Sequence, residues 1–390
     1  MFFYVSFLRP PPLQSVTFGS LLITPQIAND LRTELFDGTA DIFYSWQQSG
    51  GFARNSTHRE VATKPIKLTT WREATAYKEI PVPLPPGAKD GQEWRLLLST
   101  RMAPNVDAFS SIDLCTLDVG AAPFPVVSMP IQFGPRASRK GPKQEQVERV
   151  YRLRPKVGED IAGVALRITE QTSFDLDKKV WDSGVGLSAW LAELERSLET
   201  DGSVAELREA LFSPEPRNIL ELGAGIGIVG LSLAALRSTR IQSSRTEGVT
   251  DRIITTDLDS AMPLLQQNIA TNAVHLENTR LEAAVLDWDD DLPSNIRDFP
   301  GGFDAIIMAD VTYNTSSFPS LARTLSALTR LGTKPPIVLL GYKERDAAER
   351  TLWELVGEFG LTFRKIGERA GAGGAPVEVW MGTVDLVNPK

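Results

Sequence analysis

One cysteine and two histidines are all that this 390-residue sequence holds of the residue types most used for metal binding and nucleophilic catalysis. Cys115 alone excludes an intrachain disulfide, and with His58 and His275 it is too little for a zinc site of the usual Cys/His kind. Neither histidine sits in a nucleophile motif, so a Ser–His or Cys–His mechanism has no anchor. A basic excess is also lacking. Lys and Arg number 41 against 49 Asp and Glu, a formal charge of −8, so nothing here seeks a polyanion and no nucleic acid is expected as partner. Long hydrophobic runs are absent too. The apolar start FFYVSFL lacks a basic flank and stops at Arg9-Pro-Pro-Pro12, too short for a membrane span and unlike a signal peptide. The expectation is a soluble protein, a monomer without metal or membrane, in the reducing cytoplasm or nucleus.

What is present is ordinary in bulk and specific in one place. Apolar residues make up 42% and charged residues 23%, as in globular proteins, and the length allows a full α/β domain plus a second region. The organising stretch is RNILELGAGIGIVGLSLAAL, residues 217–236. It reads as an apolar strand (218–222), a turn carrying Gly223, Gly225 and Gly227, and an apolar helix (228–236). A strand running through a glycine turn into a helix places backbone N–H groups and the helix N-terminus against a ligand beyond the strand's carboxyl end. Gly225-Ile-Gly-Ile-Val-Gly230 fits the dinucleotide pattern G-x-G-x-x-G, which is weak alone. Glu221 ahead of the turn gives E-L-G-A-G-x-G, a form that resembles motif I of the class I S-adenosylmethionine-dependent methyltransferases and so implies that cofactor; a ligand-free structural turn is the third reading.

Around this centre the texture divides the chain. Residues 1–145 carry proline clusters and short β-leaning runs, and predict a β-rich accessory region ending in a basic linker, 136–143. From 146 to 390 the reading is a single α/β domain. Strands are predicted at 148–153 and 162–169, and a helix at 183–198 on the spacing of Leu187, Leu191, Leu194 and Leu198. After the glycine turn come a polar excursion (237–251), strands at 252–258, 281–286, 303–309 and 337–340, and helices at 260–271, from Pro319, and at 344–359. Strands at 361–366 and 377–381 close the chain. This alternation predicts a seven-stranded, mostly parallel, doubly wound sheet whose last strand is antiparallel.

The candidate site residues follow from strand ends, where ligands bind in such sheets. Asp257 closes the second strand and can reach ribose hydroxyls, though it could equally open the next helix. Asp287 and Trp288 follow the third strand, an acid and a flat apolar face suited to adenine. Trp181, in VWDSG, can hold a sulfonium by cation–π attraction or simply fill the core. Asp310 and Tyr313, in ADVTY, can line the entrance where a methyl group is delivered.

Together these motifs resemble the family-16 methyltransferases, in particular the methyltransferase-like 21 group of protein-lysine methyltransferases. The resemblance covers about residues 147–385 and rests on VWDSG at 180–184, ELGAGIG at 221–227, Asp257, Asp-Trp at 287–288 and ADVTY at 309–313. It implies a Rossmann-like class I fold with S-adenosylmethionine held by Trp181, Glu221, the turn Gly223, Ala224, Gly225 and Gly227, Asp257, Asp287, Trp288 and Ala309. Asp310 and Tyr313 would be catalytic and face the substrate amine. The implied activity is transfer of a methyl group to a lysine of a protein substrate. A small-molecule amine methyltransferase with a nicotinamide-like substrate, and an inert interaction protein retaining the fold, are the alternatives. The tetrapeptide Asn-Pro-Pro-aromatic of adenine and glutamine methyltransferases is absent.

Overall fold

The computed structural model describes the chain except for residues 50–60, 104, 136–140, 155–162, 174, 198–201, 242–250 and 386–390. His58 and the greater parts of the expected linker and polar excursion lie outside the described residues. The second half builds a seven-stranded sheet from β1 (Asn218–Leu222), β2 (Asp251–Asp257), β3 (Thr279–Val285), β4 (Ala305–Ala309), β5 (Ile337–Tyr342), β6 (Leu361–Arg369) and β7 (Val377–Val384). The spatial order is β3-β2-β1-β4-β5-β7-β6. Neighbours among β1 to β5 are parallel, and β7 runs antiparallel to β5 and β6. The central strands are continuous apolar runs because both faces are covered: Leu220, Ile306 and Leu340 are fully buried.

The covering helices are α1 (Asp182–Arg196), α2 (Gly202–Phe212), α3 (Ile228–Ile241), α4 (Met262–Thr271), α5 (Phe318–Leu328) and α6 (Thr351–Gly357). Leu187 and Leu191 of α1 pack with Leu231 and Ala234 of α3 on one side. Leu321 and Leu325 of α5 pack with Leu352 and Val356 of α6 on the other. Three expectations change. The helix read as 228–236 continues through the polar residues Arg237–Thr239 to Ile241. The helix read as 344–359 is a 3-10 turn, Ala347–Arg350, capped by Asp346, followed by the short α6. Helix α2 has no counterpart in the sequence reading.

The N-terminal half is β-rich, with a three-stranded sheet and a nine-stranded one. Strands Gln146–Leu153 and Val164–Gln171, which the sequence reading assigns to the second half, pair with each other in that nine-stranded sheet. Gln146–Leu153 also pairs with Ser111–Asp113 and Val126–Ser128. A boundary at 145/146 therefore cuts through a sheet. Alternation of side chains identifies a strand but not its partners. The two halves also share apolar core, because Phe2, Tyr4, Ile112, Leu114 and Phe124 belong to the same buried cluster as α1 and α3.

Candidate active site

Beyond β1 the chain reverses direction in the sheet order, with β2 on one side and β4 on the other, which opens a crevice at the strands' carboxyl ends. The glycine turn forms its floor. Gly223 has φ +65, and a Cβ there would stand 2.8 Å from Val311 Cγ1 and 3.4 Å from the Trp288 ring. Gly225, at φ +55, has only the Asp177 carbonyl within 4 Å of such a Cβ, so its outer side faces open space. The turn is tied across to β2: the Ala224 N–H donates to the Thr256 carbonyl at 3.0 Å, and the Gly225 N–H to Asp257 Oδ2 at 2.7 Å. Glu221 points beneath it. Its carboxylate accepts from the Thr255 hydroxyl and lies against Gly230 of α3, and burial pushes its pKa up to about 7. The third glycine of the repeat thus makes room for Glu221.

The crevice holds about 520 Å³, within the range of small-molecule sites. Asp257 stands at its β2 edge, accepting from the Gly225 and Leu258 N–H groups. Burial raises its pKa, against those two hydrogen bonds. Asp287 and Trp288 begin the loop after β3 and line the same space. The Trp288 carbonyl accepts from Arg323 of α5 at 2.9 Å, which fixes the loop. Ala309, Asp310 and Tyr313 line it from the end of β4. Of the cofactor and catalytic residues expected from the sequence, Gly227 is the one off the lining; it precedes α3 at φ +87, against Leu265.

The mouth is built by a strap, residues 175–181, which the sequence reading missed apart from Trp181. Its 3-10 turn, Leu176–Lys178, has no periodicity that a pattern search could find. Asp177 accepts from the Ser260 hydroxyl at 2.7 Å, and the Trp181 indole N–H donates to the Leu176 carbonyl at 2.7 Å. Trp181 stacks on the half-exposed Tyr313, ring centroids 5.6 Å apart and planes 26° apart. The cation lying over Trp181 is the Arg345 guanidinium, 5.0 Å from the ring centroid. Burial raises the Tyr313 pKa, helped by Asp257 and Asp177, so the phenol stays protonated.

Asp310 departs from its expected orientation toward a substrate amine. Its backbone lines the crevice in a left-handed conformation, φ +54, while its carboxylate is held inward. One oxygen accepts from the Ser183 N–H at 2.6 Å and the other pairs with Arg345. The cause is at the start of α1. Trp181 occupies the N-cap position without a capping side chain, so the first-turn N–H groups draw acceptors from elsewhere.

A family model described as lysine methyltransferase matches residues 161–359, just over half of the chain. The chain belongs to the lysine methyltransferase family. Its cofactor is accordingly S-adenosylmethionine, and the glycine floor, which a Cβ at 223 would fill, together with Asp257 and Trp288, fits an adenosine ligand. Among curated relatives of this family member, a UPF0665 family protein of Schizosaccharomyces pombe is 29% identical over 199 residues, covering 51% of this chain and 52% of that one. The protein-lysine N-methyltransferase EFM6 of Saccharomyces cerevisiae is 30% identical over 177 residues, 43% of this chain and 68% of EFM6. The protein N-lysine methyltransferase METTL21A of Danio rerio is 31% identical over 149 residues, 37% of this chain and 58% of that protein. The chain thus spans about half to two thirds of the length of these relatives.

Proposed function

We propose that this protein is a class I S-adenosylmethionine-dependent methyltransferase that methylates a lysine side chain of a protein substrate. The observation that carries the reading is the stacked Trp181–Tyr313 pair at the mouth of a glycine-floored crevice. Bound S-adenosylmethionine supplies an electrophilic methyl group on a sulfonium. The protein's own groups bind and orient. The turn Gly223–Gly227 and Asp257 hold the cofactor's ribose side, and Trp288 with Asp287 its adenine. The rim carries Asp175, Asp177, Asp257, Asp287 and Asp289 against Lys178 and Lys179, a field that draws in a cationic side chain.

A free lysine amine with a pKa of about 10.4 is nearly all ammonium near neutral pH and has no lone pair to offer. An aromatic-walled mouth removes water from the ammonium, which favours loss of its proton. The Tyr313 phenol can then hydrogen-bond the amine and hold it in line, and alignment alone supplies a large share of a barrier reduction. Asp310 acts here as a positioning residue, because both carboxylate oxygens are engaged with Ser183 and Arg345. The strand pairing supports drawing the accessory region as residues 1–171, with the methyl-transfer unit from 172 on. We place the protein in the cytoplasm or nucleus. Among the described residues, no helix is long and apolar enough to cross a membrane.

Isothermal calorimetry is the test. S-adenosylmethionine and its demethylated product are expected to bind and NAD not to. Asp257→Ala is expected to weaken binding by roughly 1–3 kcal/mol through loss of charge-assisted hydrogen bonds to the ribose. Binding of NAD alone, or unchanged affinity in a folded Asp257→Ala protein, contradicts the assignment.

A further inference from the structure

The start of α1 is held by groups that come from three distant parts of the chain. Asp30 follows the accessory strand Ser20–Ala28 and is fixed in its loop by Asn29, whose side chain accepts from the Thr33 N–H at 2.9 Å. Asp30 Oδ2 accepts from the Asp182 N–H at 3.1 Å and from Arg345 Nη2 at 2.7 Å. Its other oxygen accepts from the Leu31 N–H at 3.0 Å and lies 3.5 Å from Lys343 Nζ. Arg345 bridges onward to Asp310, which accepts from Ser183. Two carboxylates, one from each half of the chain, therefore cap successive N–H groups of one helix, where its dipole favours negative charge. A single guanidinium joins them. That guanidinium lies 5.0 Å from the centroid of the Trp181 ring, whose partner in stacking is Tyr313.

We propose that Asp30 is a positioning residue of the methyl-transfer site, contributed by the accessory region and acting through Arg345 and the first turn of α1 on Trp181 and Tyr313. The proposal rests on the reading of the crevice as a methyl-transfer site. A buried ion pair that served only to join the halves would not need to share its arginine with both the helix cap and the aromatic wall. Here the three roles meet in Arg345, whose side chain is mostly buried. Losing the charge of Asp30 frees one arm of the guanidinium and leaves Lys343 with Asp182 alone. The expected consequence is a misplaced Trp181 rather than a lost cofactor pocket.

The experiment uses the full chain labelled with 5-fluorotryptophan, with the Trp181 resonance assigned by Trp181→Phe. In Asp30→Asn the fluorine signal of Trp181 is expected to shift or broaden while that of Trp46, buried in the accessory core, stays in place. Turnover should fall roughly 10- to 100-fold, the scale of a misaligned reacting pair, with the Kd for S-adenosylmethionine little changed. Glu148→Gln, which removes the buried partner of Arg95 within the accessory sheet, is the control and should leave the Trp181 signal unmoved. If Asp30→Asn does not fold, Arg345→Lys, which keeps the charge but cannot bridge both carboxylates, is read by the same spectrum. An unmoved Trp181 signal in either folded variant overturns the proposal. A wild-type protein without methyl transfer overturns the functional reading instead, and the fluorine spectrum still decides the role of Asp30.

Discussion

A fragment of residues 146–390 is expected not to fold. It would keep strands Gln146–Leu153 and Val164–Gln171 but strip away their partners Ser111–Asp113 and Val126–Ser128. It would also remove Phe2, Tyr4, Ile112, Leu114, Val119 and Phe124 from the core they share with α1 and α3. At about 1.5–3 kcal/mol for each buried apolar side chain, those six alone account for on the order of 10 kcal/mol. That matches the whole stability of a typical domain, about 5–15 kcal/mol. The charges are a second cost. Asp182 would lose the Tyr4 hydroxyl and Phe2 N–H, and Arg345 and Lys343 would lose Asp30. Arg345 would keep Asp310 and Lys343 would keep Asp182, so each loses one of its two partners, and weakening a buried charge network in this way adds to the loss. Circular dichroism and chemical denaturation should find no cooperative transition in the fragment. A soluble fragment with a sharp transition and full cofactor affinity would show the two halves to be independent.

Gly223→Ala is expected to abolish useful cofactor binding. The position needs a left-handed backbone, and the new methyl would press on Val311 and Trp288. Left-handed strain and overpacking together cost about 2–5 kcal/mol. If the turn moves to relieve them, affinity falls roughly 30- to several-thousand-fold at 1.4 kcal/mol per decade. Gly357→Ala, where a Cβ meets nothing within 4 Å, is the matched control and should bind as the wild type does. Unchanged affinity in a folded Gly223→Ala protein would mean that the turn is not the cofactor's floor.

What could be read in advance was local. The glycine turn, Asp257, Asp287–Trp288 and ADVTY each stand at the end of a strand, and the sheet gathers strand ends at one edge whatever the loops between them do. Residues whose work depends on distant partners were not legible. Asp30 and Arg345 are 315 positions apart, and neither lies in a pattern that marks it. Asp310 was found, but its orientation follows from the missing cap on α1, a fact about Trp181 rather than about Asp310. The strap at 175–181 has no helical or alternating period. The strands predicted at 148–153 and 162–169 are legible as strands but not their partners: the reading puts them in the α/β half, and β-branching and alternation are the same in either half.

The most direct test of the central claim is methyl transfer itself. The protein is incubated with S-adenosylmethionine carrying a tritiated methyl group and a cell extract, and the protein fraction is separated from small molecules and hydrolysed to amino acids. The prediction is label in the protein fraction, recovered as methylated lysine and lost in Tyr313→Ala. Label confined to small molecules, label on another amino acid, or no transfer by a protein that binds the cofactor would contradict it.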